Sequence, residues 1–170
     1  NEMNKLAEDV PEGSDGITIL PFGNGAERML ENNEIGAHIS GLDFNRHNKA
    51  HLYRAVQEGI AFSFRYGLDI MKETGIDPKI IRAGEANMFL SRIFRETLSS
   101  ITGTVIHLYN TDGSIGAARG AGIGCGYYKS ETEAFKGLDA VGVTEPDTAK
   151  QALYEEAYER WKVNLAALAK

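Results

Sequence analysis

The chain has 170 residues, with 18 Lys+Arg against 24 Asp+Glu for a formal charge of −6, and 42% hydrophobic against 25% charged residues. That balance belongs to a globular chain able to bury a sizeable core. A single cysteine excludes a disulfide scaffold, no apolar run approaches the ~20 residues of a membrane span, and an acidic chain without a Lys/Arg block is poorly suited to nucleic acid. What remains is a soluble, cytoplasmic domain over 1–170 with a small-molecule or protein partner.

Residues 1–16 are polar and end in the turn-forming run Pro11-Glu12-Gly13-Ser14-Asp15-Gly16. The opening Asn1-Glu2-Met3 carries no charged-then-apolar leader pattern and is compatible with a processed chain or a piece cut from a longer one. Ile17–Leu20 reads as a short strand closed by Pro21, Phe22–Glu34 as a loop, and Gly36–Leu42 as a second strand. The clearest helix runs over about 47–73, where Leu52, Val56, Ile60, Phe64, Leu68 and Met71 predict one apolar stripe, and Gly75 with Asp77-Pro78 stops it. Lys79–Arg82 reads as a strand, followed by the loop Ala83-Gly84-Glu85-Ala86-Asn87 and a helix to about Ile101 with Phe89, Ile93, Phe94 and Leu98 on one side. Thr104–Tyr109 is the best strand, and Ser114 is the expected N-cap of a Gly/Ala-rich helix to about Gly126. A variable stretch over 129–147 leads to a last helix over 148–169, amphipathic around Leu153, Ala157, Trp161 and Leu165; Trp161 and Leu165 could pack on the domain or on another subunit. Strand–helix–strand–helix order from Lys79 onward predicts an α/β fold with parallel pairing.

No residue makes a catalytic centre by itself. The segment from Gly116 to Gly126 fails the dinucleotide spacing, since G-x-G-x-x-G begun at Gly120 or Gly122 lands on Cys125 or Tyr127, and no Lys-Ser/Thr pair makes it a P-loop. Its small residues allow close approach of another backbone or of a flat ligand. His38, His47, His51 and His107 lack metal-ligand spacing, Cys125 reads as a packing residue, and Arg54 with Glu58 at i,i+4 reads as a structural ion pair. Asp43, Asp69 and Asp112 have no second carboxylate or histidine at a useful spacing. The loop 83–87 sits where a strand hands over to a helix, the place ligands bind in parallel α/β sheets. There Gly84 could take a positive φ, and Asn87 could cap the helix or hydrogen-bond a base or sugar, with free N–H groups at the helix start favouring a phosphate.

In order, three motifs resemble the C-terminal part of the FGGY carbohydrate kinases. The first is Ala37-His38-Ile39-Ser40-Gly41-Leu42, then eight residues, then His51 to Gly59, with Gln57 standing where the family prefers an apolar residue. The second is Arg82-Ala83-Gly84-Glu85-Ala86-Asn87, similar to the family's Gly-Gly-Gly-x-x-Ser/Asn adenosine loop with Arg82 and Ala83 replacing two glycines. The third is Asp112–Ala118, similar to the Gly-Ala-Ala helix start beside that loop. Gly23-Asn24-Gly25-Ala26-Glu27-Arg28 stands where the family has a Gly-Glu-Arg segment, and the resemblance spans about 17–128.

This resemblance implies an actin-like ATPase (ribonuclease H-like) domain portion, a small mostly parallel sheet flanked by helices. It implies a parent enzyme, most like xylulokinase and admitting a homodimer, that uses ATP and Mg to phosphorylate a sugar hydroxyl. The base, the Mg–phosphate motifs and most sugar contacts would lie in sequence preceding this part. This chain would then hold no catalytic residue and no metal, and would supply the adenosine side of the ATP site through Ala83, Gly84, Glu85, Asn87 and Gly116. The alternative is a non-catalytic binding or interaction module that keeps the fold. Another actin-like family, such as an acetate kinase or chaperone ATPase, leaves the 52–59 segment unexplained.

Overall fold

The fold was obtained as a computed structural model that describes residues 2–23 and 28–168; positions 24–27 of the Gly-Glu-Arg-like segment and the last expected helical position, 169, lie outside the described residues. Its elements are α1 (Glu2–Glu8), β1 (Thr18–Pro21), β2 (Ala37–Ser40), α2 (Lys49–Glu73), β3 (Ile80–Gly84), α3 (Arg92–Thr102), β4 (Val105–Tyr109), α4 (Gly113–Gly124), α5 (Glu131–Ala134), β5 (Ala140–Thr144) and α6 (Gln151–Leu168). Single 3-10 turns cover Ser14–Gly16, Arg28–Leu30 and Asn87–Leu90.

Strands β1 and β2 form an antiparallel pair, and the second sheet runs β3-β4-β5. The expected parallel pairing holds for β3 and β4, which align Ile80 with Val105 and Gly84 with Tyr109. β5 lies antiparallel on β4, so the sheet expected to be mostly parallel has one parallel and one antiparallel pair. The antiparallel strand comes from the stretch read as variable: Val141-Gly142-Val143 is too short and too interrupted by glycine to declare itself. The polar leading segment also gains structure, because Ala7 and Val10 bury against the body and recruit α1.

α2 is the spine and contributes to three apolar clusters: Ala55 packs with Ile17 and Ile19, Ala61 with Phe94, Leu98, Ile106 and Leu108, and Phe62 with Leu20, Tyr158 and Trp161. Its N-terminus is fixed by Asn48, which accepts from the Ala50 N–H at 2.8 Å and donates its own N–H to His51 Nδ1. The expected stripe is not the buried face. Val56, Phe64 and Met71 are exposed, while Arg54, Ala55, Gln57, Glu58, Gly59, Ala61 and Phe62 face inward. α2 is packed from two sides, so its inward positions must be small or internally satisfied. A Cβ on Gly59 would stand 2.2 Å from the Ile19 carbonyl oxygen, so the helix and β1 touch backbone to backbone.

The Arg54–Glu58 pair is present as expected and is the hub of a buried network. Glu58 accepts from Arg54 Nε at 2.8 Å, the Gly13 N–H at 3.0 Å and Ser14 Oγ at 2.6 Å. Arg54 also donates to the Val10 carbonyl and Tyr154 Oη, and pairs with Glu12. Burial pushes the Glu58 carboxyl above its ordinary range, while Arg54 and the Ser14 and Gly13 donors pull it back. These bonds staple the leading segment and α6 onto α2.

α6 buries Tyr154, Ala157, Tyr158, Trp161 and Leu165, whereas Leu153, expected on that face, is exposed. Trp161 packs within the domain among Phe22, Tyr66 and Tyr158, and its indole N–H donates to the Ile19 carbonyl at 3.0 Å. Of the two environments open to it from sequence, the chain's own core is the one observed.

Candidate functional site

The C-terminal ends of β3 and β4 stand side by side, and the loops leaving them are locked together. The Tyr109 carbonyl accepts from the Glu85 N–H at 2.9 Å and the Thr111 N–H at 2.7 Å. Gly84 sits directly against the second loop: a Cβ there would lie 2.3 Å from the Thr111 carbonyl oxygen and 3.3 Å from Asp112 Cα. Gly84 is therefore required for close approach. It is not among the residues of positive φ, contrary to one sequence expectation.

Asn87 carries the left-handed backbone instead, at φ 52°, and opens a 3-10 turn that closes with the Ser91 N–H on the Met88 carbonyl at 3.0 Å. This turn separates the loop from α3, so Asn87 does not cap the helix. Ser91 does, accepting from the Phe94 N–H while donating to Gln57 Oε1 on α2. Ser114, the expected cap of α4, is likewise displaced. Asp112 takes that role, its Oδ1 accepting from the Ser114 and Ile115 N–H groups at 2.9 Å and from Ser114 Oγ. Those donors hold the Asp112 carboxyl below its usual range, led by the Ser114 hydroxyl.

Two hollows open at this junction. One, of about 450 Å³, is bounded by Arg82, Gly84, Tyr109, Thr111, Phe135 and Leu138. The other, of about 480 Å³, lies across the strand end between Ala83, Asn87, Phe64, Phe89, Asp112 and Gly113, with Arg82 reaching it as well. Both have the size and mainly apolar character of small-ligand sites. The wall carrying Phe135 and Leu138 is pinned to the sheet: Asn110 and Asp139 exchange hydrogen bonds at 3.0 and 2.8 Å, and Arg119 of α4 donates to the Ala134 carbonyl at 2.7 Å.

The structure thus brings together Ala83, Gly84 and Asn87. Ala83 and Gly84, expected in the loop, are the last two residues of β3, whose parallel pairing with β4 extends to Gly84. Glu85 follows with an exposed side chain outside both linings, and Gly116 lies one turn into α4, also outside them. α4 has no buried residue, and a Cβ on Gly116 or Gly120 would meet nothing within 4 Å. The close packing expected of that helix is confined to Gly122, against the Tyr128 ring. Cys125, expected to pack, is exposed. Sequence reading missed Tyr109, Thr111, Phe135 and Leu138 as wall residues. The rule that ligands gather at strand C-termini could have found the first two.

The other acids named from sequence are engaged: Asp69 accepts from Arg65 Nε and Tyr158 Oη, and the Asp43 carboxylate from the Asn45 N–H. Among the described residues no group of three or more His, Cys, Asp or Glu side chains converges as a metal site would require, and no helix is long and apolar enough to cross a membrane. The described residues shape two hollows at the C-terminal ends of β3 and β4. Tyr109 and Phe135 wall the first hollow and Phe64 and Phe89 the second, both beside the Gly84 backbone, and Asn87 borders the second.

Hollows at the strand ends of a small sheet flanked by helices mark this as an α/β fold, and comparison with known proteins gives its family. Residues 1–125 match the C-terminal domain of the FGGY family of carbohydrate kinases, beginning earlier than the motif resemblance and ending close to it. The chain belongs to this family, as the three motifs implied. It is 33% identical over 176 residues to a xylulose kinase of Haemophilus influenzae, aligning 98% of this chain with 34% of that protein. It is 30% identical to an L-xylulose/3-keto-L-gulonate kinase of Escherichia coli, covering 99% of this chain and 33% of that one. The fold matches the ligand-bound xylulose kinase of Lactobacillus acidophilus with a TM-score of 0.80 at 23% identity, over 99% of this chain and 34% of the other. The chain therefore spans about a third of the length of the relatives it matches.

Proposed function

We propose that this chain is the adenosine-holding, C-terminal portion of a cytoplasmic ATP-dependent sugar kinase whose substrate is a ketopentose of the xylulose type. The observation that carries the reading is the junction of the two loops. Gly84 presses backbone to backbone on Thr111, and beside that edge lies an aromatic-walled hollow that Asn87 borders from the other side. The identity to xylulose kinases over nearly the whole chain supports the sugar class. ATP, bound with Mg, supplies the phosphoryl group. The part played by this chain's own residues is to hold the adenosine flat, exclude water from it and orient it through Asn87. Ala83 and Gly84 contribute backbone and small surface. Glu85 and Gly116 stand at the margin, where they could contact the ribose or base only from outside the two hollows.

Asn87→Gly tests the reading better than Asn87→Leu, because glycine keeps the left-handed turn while removing the amide. In the full-length gene product the KM for ATP should rise roughly five- to tenfold, the size of one lost directional hydrogen bond, with the melting temperature unchanged. Sugar-dependent ATP turnover is expected in the parent protein. Its absence, together with an unmoved ATP affinity, would favour a binding module that keeps only the fold.

A further inference from the structure

Arg82 is a feature of this junction that the adenosine reading leaves without a task. It is the middle residue of β3, in register with His107, and its exposed side chain borders both hollows. It is the single positively charged side chain among the residues lining the two. Neighbouring arginines are engaged: Arg95 on the Phe89 carbonyl, Arg119 on the Ala134 carbonyl, and Arg65 on Asp69. Arg82 has neither an ion-pair nor a hydrogen-bond partner among the described residues. The one carboxylate lining either hollow, that of Asp112, is occupied in capping α4, and the Glu85 side chain lies outside both linings.

We propose that Arg82 contacts the phosphate chain of the bound nucleoside triphosphate and so favours the charged nucleotide over the free nucleoside. The inference rests on the reading of this loop as the adenosine site. A guanidinium presents a planar fork of donors that matches two phosphate oxygens at once, and it stays charged throughout the working pH range. With its stem anchored in a strand, Arg82 loses less freedom on binding than an arginine on a loose loop would.

The test compares Arg82→Gln, Arg82→Lys and Asn87→Gly in the full-length gene product. The readouts are the KM for ATP at low and high NaCl, the kcat, and the inhibition constant of adenosine. Arg82→Gln should raise the KM for ATP roughly tenfold at low salt, leave the kcat and the adenosine constant unchanged, and make the KM less sensitive to salt than in the wild type. Arg82→Lys should recover part of the loss. If Arg82→Gln leaves the KM within twofold while Asn87→Gly raises it, the contact is refuted and the adenosine reading stands. An equal loss of ATP and adenosine affinity would place the guanidinium on the base or ribose, which also refutes it. If neither substitution moves the KM, both readings fall.

Discussion

Replacing Gly84 by alanine is the sharpest probe of the loop junction. The added methyl would start 2.3 Å from the Thr111 carbonyl oxygen and 3.0 Å from its carbon, and both neighbours are backbone atoms. To restore an ordinary contact the two loops must part by about 1 Å. They are held by the Glu85 and Thr111 N–H groups on the Tyr109 carbonyl, so the strain has no flexible side chain to dissipate in. Overpacking of this kind costs about 1–3 kcal/mol, offset by about 0.4–1 kcal/mol from the stiffer unfolded chain. The net loss of about 1–2 kcal/mol corresponds to a drop of roughly 2–8 °C in the Tm of a chain this long. Gly67 is the control. It lies inside α2 with nothing within 4 Å of a built Cβ, and Gly67→Ala should raise the Tm by about 1–4 °C. Thermal melts followed by circular dichroism read both. A Gly84→Ala melt at or above the wild type, with Gly67→Ala behaving as stated, would refute the close approach. The full-length Gly84→Ala protein should also show a raised KM for ATP, because the parted loops border the hollows.

Two further outcomes concern the body that supports the site. Glu12 is partly buried, which raises its pKa, but Lys150 at 2.9 Å and Arg54 at 3.3 Å outweigh this and hold it below its ordinary 4.5. Its contribution to stability is therefore present above pH 4.5 and lost as pH falls through the depressed value. The Tm difference between wild type and Glu12→Gln, measured from pH 3 to 8, should vanish at the acid end, and a constant difference would refute the linkage. Trp161→Phe keeps most of the apolar bulk and deletes the indole bond to Ile19, leaving that buried carbonyl short of a donor. A loss of about 1–3 kcal/mol in urea unfolding is expected, and a loss under 0.5 kcal/mol would show that the bond contributes little.

What the sequence made legible in the fold is what local chemistry dictates. Gly75 and Asp77-Pro78 end α2, Gly103 ends α3 in the left-handed conformation, and the β-branched run before Tyr109 is a strand. The inward face of α2 was not legible because periodicity assumes a helix with one buried side. Here β1 and α6 approach from one side and α3 from another. The inward positions are consequently Gly59, Ala61 and the Arg54–Glu58 pair, and Val56 and Phe64 are left to line surface hollows. Leu153 fails for a related reason. On α6 the buried positions are filled by Tyr154 and Tyr158, whose hydroxyls meet Thr97 and Asp69, and a hydropathy pattern undervalues such residues.

The site shows the limit more closely. Punctuation placed a turn after β3, but the strand runs on through Ala83 and Gly84, and only Glu85 and Ala86 separate it from the 3-10 turn at Asn87; the reason for the glycine is hidden too, because freedom to adopt a positive φ and a need for empty space both select the same residue. The structure separates them: Asn87 takes the positive φ, and Gly84 lacks room for a Cβ. This also explains which of the motif's three glycine positions the chain could give up. Arg82 is exposed and lines both hollows, and Ala83 packs its small side chain against the cluster around Ile106 and Leu108. Both positions accommodate a side chain, exposed at Arg82 and packed among apolar neighbours at Ala83. Gly84 does not, since a Cβ there would lie 2.3 Å from the Thr111 oxygen, and it is the glycine retained. Restoring the other two glycines, in Arg82→Gly and Ala83→Gly, should leave the loop junction in place and change only what the hollows present to a ligand.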